Sequence, residues 1–290
     1  MYSGTAWTKI VHFTTEDGLK LSGMYLPPSG LDTTIIHVHG KCGTFYENNF
    51  LHAMLDAARQ LGLGFLAFNN RGAGCITEGY RNGSLVYIGG SLERFEDCLL
   101  DLLAAKTFAL SDAGKVILQG HSYGCDKVLY FSQHMGDQEA YLLISPANSR
   151  RIFENYAGQS ASGATPDARK PEIGESQFQL MPELSYGVSE GKVRYAIPIS
   201  LLSYRALLKG PGLRLLDLAS LKNSHIRTVK RLGCYIGAMD ELNKSDSEDL
   251  QKSVRLYCDK AWFYLDPNGT HHIGPHARSV VDALYRWAVG

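Results

Sequence analysis

Five consecutive residues, Gly120-His121-Ser122-Tyr123-Gly124, carry the strongest chemical signal in the chain. They match G-x-S-x-G, the pattern of a serine nucleophile held on a sharp turn between a strand and a helix. The flanks suit that setting. Lys115-Val116-Ile117-Leu118-Gln119 is a short apolar run that reads as a buried strand, and Cys125 to Phe131 has the composition of a helix packed on it. Such a turn strains the serine backbone and needs small residues on either side to keep strand and helix from clashing. It would raise the Ser122 hydroxyl above the sheet and point the Tyr123 amide at the same spot.

A serine hydroxyl attacks a carbonyl only when a base takes its proton, and the base needs a third group to fix its tautomer. The strand-like run at 232–237 ends in Ala238-Met239-Asp240-Glu241, which sets Asp240 where a carboxylate faces the crevice of a parallel sheet. Asp240 is the expected acid and Glu241 its nearest competitor; an acidic residue closing a strand is also ordinary turn chemistry. The last strand runs into Gly269-Thr270-His271-His272. His272 is the expected base because it stands at G-x-x-H spacing, with His271 as the alternative and a solvated polar turn as the bland reading. His271, His272 and His276 could also be read as metal ligands, but no acidic or cysteine cluster accompanies them, so neither a metal nor a cofactor is expected.

The developing oxyanion needs two backbone donors. The Tyr123 amide supplies one, and the loop after His39-Gly40 supplies the other through Lys41 or Cys42, with Gly40 and Gly43 permitting the turn. Lys41 is taken as that donor; its side chain either meets an anionic substrate or is simply solvated. Cys42 lacks a neighbouring base that would make it a nucleophile. Asn70-Arg71-Gly72-Ala73-Gly74 does not fit a phosphate-binding loop, having neither G-x-G-x-x-G nor a following P-loop lysine. Arg71 is therefore read as a brace between loops, and His121 as a packing residue beside the site.

Positioning these residues takes alternating strands and helices. Two alternating runs around Glu16-Asp17-Gly18 predict an opening hairpin. Strands follow at 34–40, 65–69, 115–119, 140–147, 232–237 and 261–265, with helices at 49–61, 91–110, 125–131, 246–258 and 275–288. This rhythm predicts an α/β chain with a mostly parallel central sheet and helices on both faces. Between 148 and 212 the rhythm breaks: polar and glycine-rich to 180, then irregular with one helical piece near 199–208. So long a connection is expected to be a lid or cap inserted into a core formed by 1–147 and 213–290. Its Phe153, Tyr156, Phe178, Met181, Tyr186, Tyr195 and Tyr204 either line an acyl pocket or pack the lid on the core.

Bulk properties narrow the partners. Lys+Arg and Asp+Glu number 29 each in 290 residues, which gives no electrostatic reason to expect nucleic acid or an anionic membrane. No run approaches the roughly 18–20 apolar residues that span a bilayer. Met1 to Trp7 lacks the basic-then-apolar order of a signal peptide. Six cysteines without a CxxC pair favour free thiols. The expectation is a cytoplasmic protein whose partner is a small-molecule acyl substrate; oligomeric state leaves no mark on the sequence.

His39-Gly40-Lys41-Cys42-Gly43, Asn70-Arg71-Gly72-Ala73-Gly74, Gly120-His121-Ser122-Tyr123-Gly124, Gly237-Ala238-Met239-Asp240 and Gly269-Thr270-His271-His272 come in an order that resembles the α/β-hydrolase superfamily. The resemblance covers nearly the whole chain outside the insertion. More narrowly, Gly43-Thr44-Phe45-Tyr46-Glu47-Asn48, Phe68-Asn69-Asn70-Arg71-Gly72 and Phe95-Glu96-Asp97-Cys98 look like a branch that includes fungal siderophore ester hydrolases. The resemblance implies the α/β-hydrolase fold and a serine hydrolase acting on an ester or amide of a small specialised metabolite. Read from the residues, the reaction is cleavage of an ester, thioester or amide through an acyl-enzyme. Acyl transfer or cyclisation, other chemistry on the same residues, and a non-catalytic ligand-binding protein on the same fold are the competing readings.

Overall fold

A computed structural model describes residues 8–136, 138, 140–152, 178–188, 191–200, 203, 206–207, 210–243 and 247–290. In chain order the strands are β1 (Lys9–Thr14), β2 (Lys20–Leu26), β3 (Thr33–Val38), β4 (Gly64–Asn69), β5 (Thr77–Arg81), β6 (Ser84–Ile88), β7 (Lys115–His121), β8 (Ala140–Ile144), β9 (Phe178–Val188), β10 (Gly191–Ser200), β11 (Leu232–Gly237) and β12 (Trp262–Asp266). The helices are α1 (Leu51–Leu61), α2 (Cys98–Ala109), α3 (Tyr123–Met135), the single turn α4 (Leu218–Leu221), α5 (Ser247–Tyr257) and α6 (Ala277–Val289).

Eight strands form the central sheet in the order β1-β2-β4-β3-β7-β8-β11-β12. The opening hairpin pairs β1 with β2, and β2 runs antiparallel to β4; every pair from β4 to β12 is parallel. The side-chain period of two along a strand divides the buried residues between the faces. Ile36, Leu118 and Leu143 pack with Leu102 of α2, Val128 of α3 and Val254 of α5. Their neighbours Ile35, Ile117 and Leu142 pack with Met54 of α1 and Leu284 of α6 on the opposite face. Strands buried on both faces are mainly apolar, so β8 and β11 read as continuous apolar runs, whereas β3 and β7 also bury His37 and Gln119, which bond to each other at 2.9 Å.

Three local expectations need correction. The helix expected over 91–110 begins only at Cys98, after a short 3-10 turn at Phe95–Asp97. The amides of Gly89, Gly90 and Ser91 bond instead to the carbonyls of Arg71, Gly74 and Cys75, so this stretch is spent bracing a neighbouring loop. The hairpin β5–β6 was not foreseen, although its turn is Asn82-Gly83 with φ of 51° and 80°, a standard hairpin signal. Within 181–212, where irregular chain is expected, β9 and β10 pair antiparallel as a ribbon separate from the main sheet. Of the helical piece near 199–208, residues 203, 206 and 207 are helical while Ile199 and Ser200 close β10; 201, 202, 204, 205 and 208 lie outside the described residues. So do Phe153, Tyr156 and Tyr204, and the side chains of Phe178, Met181, Tyr186 and Tyr195.

Candidate active site

Ser122 joins β7 to α3 with φ 55° and ψ −126°, a backbone conformation that costs energy for any residue with a Cβ. Its amide is anchored on the carbonyl of Ile144 at 3.0 Å. A Cβ on Gly120 would lie 2.3 Å from the Gly124 carbonyl oxygen, and one on Gly124 would lie 2.2 Å from that of Val38. The glycines are therefore demanded by backbone passing backbone. Tyr123 is the first residue of α3, so no helical carbonyl lies one turn behind to accept its amide. Ser122 itself is only half-buried and stays reachable.

Asp240 and His271 complete a hydrogen-bonded line with Ser122. His271 Nδ1 is 3.0 Å from Asp240 Oδ2, and its Nε2 is 2.9 Å from Ser122 Oγ. A carboxylate only accepts, so Nδ1 carries the proton and Nε2 is left with the lone pair that accepts the serine hydroxyl. Asp240 is wholly buried and its acceptors are filled: Oδ1 takes the Leu242 amide and Oδ2 also takes the Asn243 side-chain amide, both at 2.9 Å. Asn243 in turn donates to the Pro146 carbonyl, tying the acid to the end of β8. Asn243 carries little signal in the sequence beyond its place three residues after Asp240.

The expected base, His272, is not in this line. It is exposed, its ring 5.5 Å from that of His271. The reason lies in how the last loop is anchored. The Gly269 carbonyl accepts the Met239 amide at 2.9 Å, a close approach allowed because Gly237 has no side chain to obstruct it. From that anchor two residues, not three, span the distance to Asp240. Buried His121 donates from Nε2 to the His271 carbonyl at 3.0 Å, and Ile273 turns the chain at φ 65° into the core, leaving His272 outward. Glu241, the competitor for Asp240, is exposed.

All three side chains stand at the carboxyl ends of parallel strands: Ser122 after β7, Asp240 after β11 and His271 after β12. No protein-family model matches the chain, and no curated protein matches it significantly. Solved structures do. Est1E from Butyrivibrio proteoclasticus, solved with ferulic acid bound, is similar with a TM-score of 0.64 at 17% identity over 96% of this chain and 98% of that one. The alpha/beta hydrolase GrgF from Penicillium sp. sh18 gives 0.63 at 15% identity, over 97% and 98%. An esterase of Pyrococcus furiosus gives 0.59 at 16%, over 98% and 89%. The chain has the α/β-hydrolase fold.

In this α/β-hydrolase fold the loop after β3 approaches the elbow from the other side. A Cβ on Gly40 would come within 3.0 Å of the Ser122 Cβ, so the backbone of Gly40 lies against the serine. His39 is buried beneath it, accepting the Asn70 amide on Nε2 at 3.2 Å and donating from Nδ1 to the Gly40 carbonyl at 2.9 Å. Lys41 follows with its side chain part-buried and its ammonium engaged: Nζ donates to the Gly90 carbonyl at 2.5 Å and to Glu93 Oε1 at 2.9 Å. Burial pushes the Cys42 thiol up to about 12, which leaves no thiolate to compete with the serine. Arg71 does act between loops, paired with Asp17, Asp97 and Asp101. Glu93 and Lys127, which bond to each other at 2.7 Å behind this loop, were not singled out from the sequence. Their spacing there is that of ordinary helix-surface charges.

Proposed function

We propose that the protein is a serine hydrolase that cleaves an ester, or a thioester or amide, of a small molecule through an acyl-enzyme. The observation that carries this reading is the line from Ser122 Oγ through His271 to buried Asp240, at 2.9 and 3.0 Å. Ser122 attacks the carbonyl while His271 Nε2 takes its proton, and Asp240 holds the tautomer and stabilises the imidazolium that forms. The amides of Tyr123 and Lys41 receive the oxyanion; one such donor is worth about 10²–10³ in kcat. His271 then returns its proton to the leaving group, and water, activated by the same imidazole, releases the acid.

Structural neighbours include esterases, and one carries ferulic acid, which agrees with a carboxylic ester as the substrate class. The insertion 148–212 is assigned as a lid: β10 ends where the Ser200 amide bonds the Ser91 carbonyl at 2.8 Å, two residues before Glu93. Free thiols at all six cysteines fit a reducing compartment such as the cytoplasm. Among the described residues no helix is long and apolar enough to cross a membrane.

A fluorophosphonate probe is the direct test. The expected outcome is covalent labelling of the wild-type protein, no labelling of Ser122→Ala, and loss of activity on a panel of p-nitrophenyl esters in that variant. Ester cleavage at the wild-type rate by Ser122→Ala would overturn the assignment.

A further inference from the structure

The two amides assigned to the oxyanion lie on separate pieces of chain, Tyr123 on α3 and Lys41 on the loop after β3. A buried network of charges joins those two pieces. Lys127 sits one turn along α3 from Tyr123 and is 1% exposed. Its ammonium donates to Glu93 Oε2 at 2.7 Å and to Asn70 Oδ1 at 3.0 Å. The other oxygen of Glu93 accepts from Lys41 at 2.9 Å. The ring of Tyr123 lies 5.5 Å from the Lys41 ammonium and 5.8 Å from that of Lys127, within cation–π range of both. Gly72 leaves room for the carboxylate: a Cβ there would fall 2.2 Å from Glu93 Oε2.

Burial works against a charged Glu93, but Lys127 first and Lys41 second hold its carboxyl down at about 2, so it stays ionised. Desolvating such groups takes back most of what their attraction provides, and well-packed apolar side chains stabilise as well or better. Stability is thus a weak reason for this network. Directionality is a better one, because charge-assisted hydrogen bonds fix distances in a way that apolar contact does not. Lys41 also needs fixing, lying between Gly40 and Gly43 in a loop whose internal backbone bond, Gly43 N–H to Gly40 O, is 3.2 Å long.

We propose that Glu93 is a positioning residue which, anchored on Lys127 of the elbow helix, holds Lys41 by its ammonium and so sets the separation of the two oxyanion amides. This rests on the hydrolase reading above. Glu93 touches no reacting atom. Its effect falls on the tetrahedral state, where both amides are used, and spares the ground-state complex.

Lys41→Met is the decisive variant. It keeps the backbone amide and an aliphatic stem and leaves the Lys127–Glu93 pair intact; Glu93→Gln is its companion, with folding checked by circular dichroism. Single-turnover acylation by a p-nitrophenyl ester separates the acylation rate from the substrate dissociation constant. A trifluoromethyl ketone, whose adduct carries the oxyanion, reports the tetrahedral state. In Lys41→Met acylation should slow roughly 10- to 100-fold while substrate dissociation changes by less than about threefold. Ketone affinity should fall in step with acylation, and Lys41→Arg should recover most of both. Wild-type acylation and ketone affinity in Lys41→Met, or a loss confined to substrate binding, would overturn the proposal even if Glu93→Gln fails to fold. Either result, alongside an inactive Ser122→Ala, leaves the hydrolase reading standing; an active Ser122→Ala removes both.

Discussion

His271 and His272 are chemically identical neighbours, and their environments alone separate them. His271 is buried with Asp240 on one nitrogen and Ser122 on the other, whereas His272 is exposed beside it. Replacing His271 by Ala should lower kcat/KM on the order of 10⁴-fold or more, as expected when the base of a serine triad is lost. His272→Ala should stay within about fivefold of wild type, since an exposed side chain outside the proton path affects only packing near the site. Steady-state kinetics on one ester decides between them; the opposite ranking would return the base to His272. The motif spacing that favoured His272 counts residues along the chain. The outcome depends on where the Gly269 carbonyl is pinned, and that is a contact with Met239, 30 positions away in the sequence.

Among the elements, the turn after β4 is held by Arg71 rather than by regular structure. Its backbone amide and Nε both donate to Asp101 of α2, at 2.7 and 2.9 Å, and its guanidinium reaches Asp17 in the β1–β2 turn. Asp101 is wholly buried, and burial pushes its carboxyl up against the opposing pull of Arg71. Arg71→Met would leave that carboxyl without its cation, so unfolding in urea should show a loss of about 3–5 kcal/mol. Adding Asp101→Asn should restore part of it by removing the stranded charge. A loss under about 1 kcal/mol in the single variant would mean that the ion pair is not what secures the turn. Helix α2 starts late for a local reason. Apolar periodicity over 91–110 is helical, but Arg94 is extended at φ −92° and ψ 129°, so helical backbone cannot run through it and begins only with the turn that follows.

For the whole molecule, acid should be a destabilising direction well before the carboxylates titrate. His37 in β3 and His39 just after it are buried; burial lowers the first to about 3, assisted by His39, and the second to about 4, assisted by Lys127. Below the ordinary value of 6.5 the unfolded chain protonates these rings while the folded one does not. The unfolded state then binds more protons, so stability falls with falling pH, by roughly 1.4 kcal/mol per unit for each ring, until the folded values are reached. The urea midpoint should drop between pH 7 and pH 5, and His37→Gln should make that drop shallower. An unchanged midpoint over this range would contradict burial of both rings as neutral species. Much at this scale was legible in the sequence. Apolar or alternating runs closed by turn residues marked the neighbourhoods of all eight sheet strands, because a face turned to the core favours apolar residues. The placement of Ser122 and Asp240 was legible for a related reason: each follows closely on such a run, and the end of a parallel strand is where a side chain meets the crevice. What the sequence could not determine depends on partners distant along the chain. Asn243 tied to Pro146, Glu93 bonded to both Lys41 and Lys127, and His271 rather than His272 meeting Ser122 all follow from hydrogen bonds between segments that only folding brings together. Local pattern records which residues must be buried or turned, whereas hydrogen-bond geometry records which of them meet.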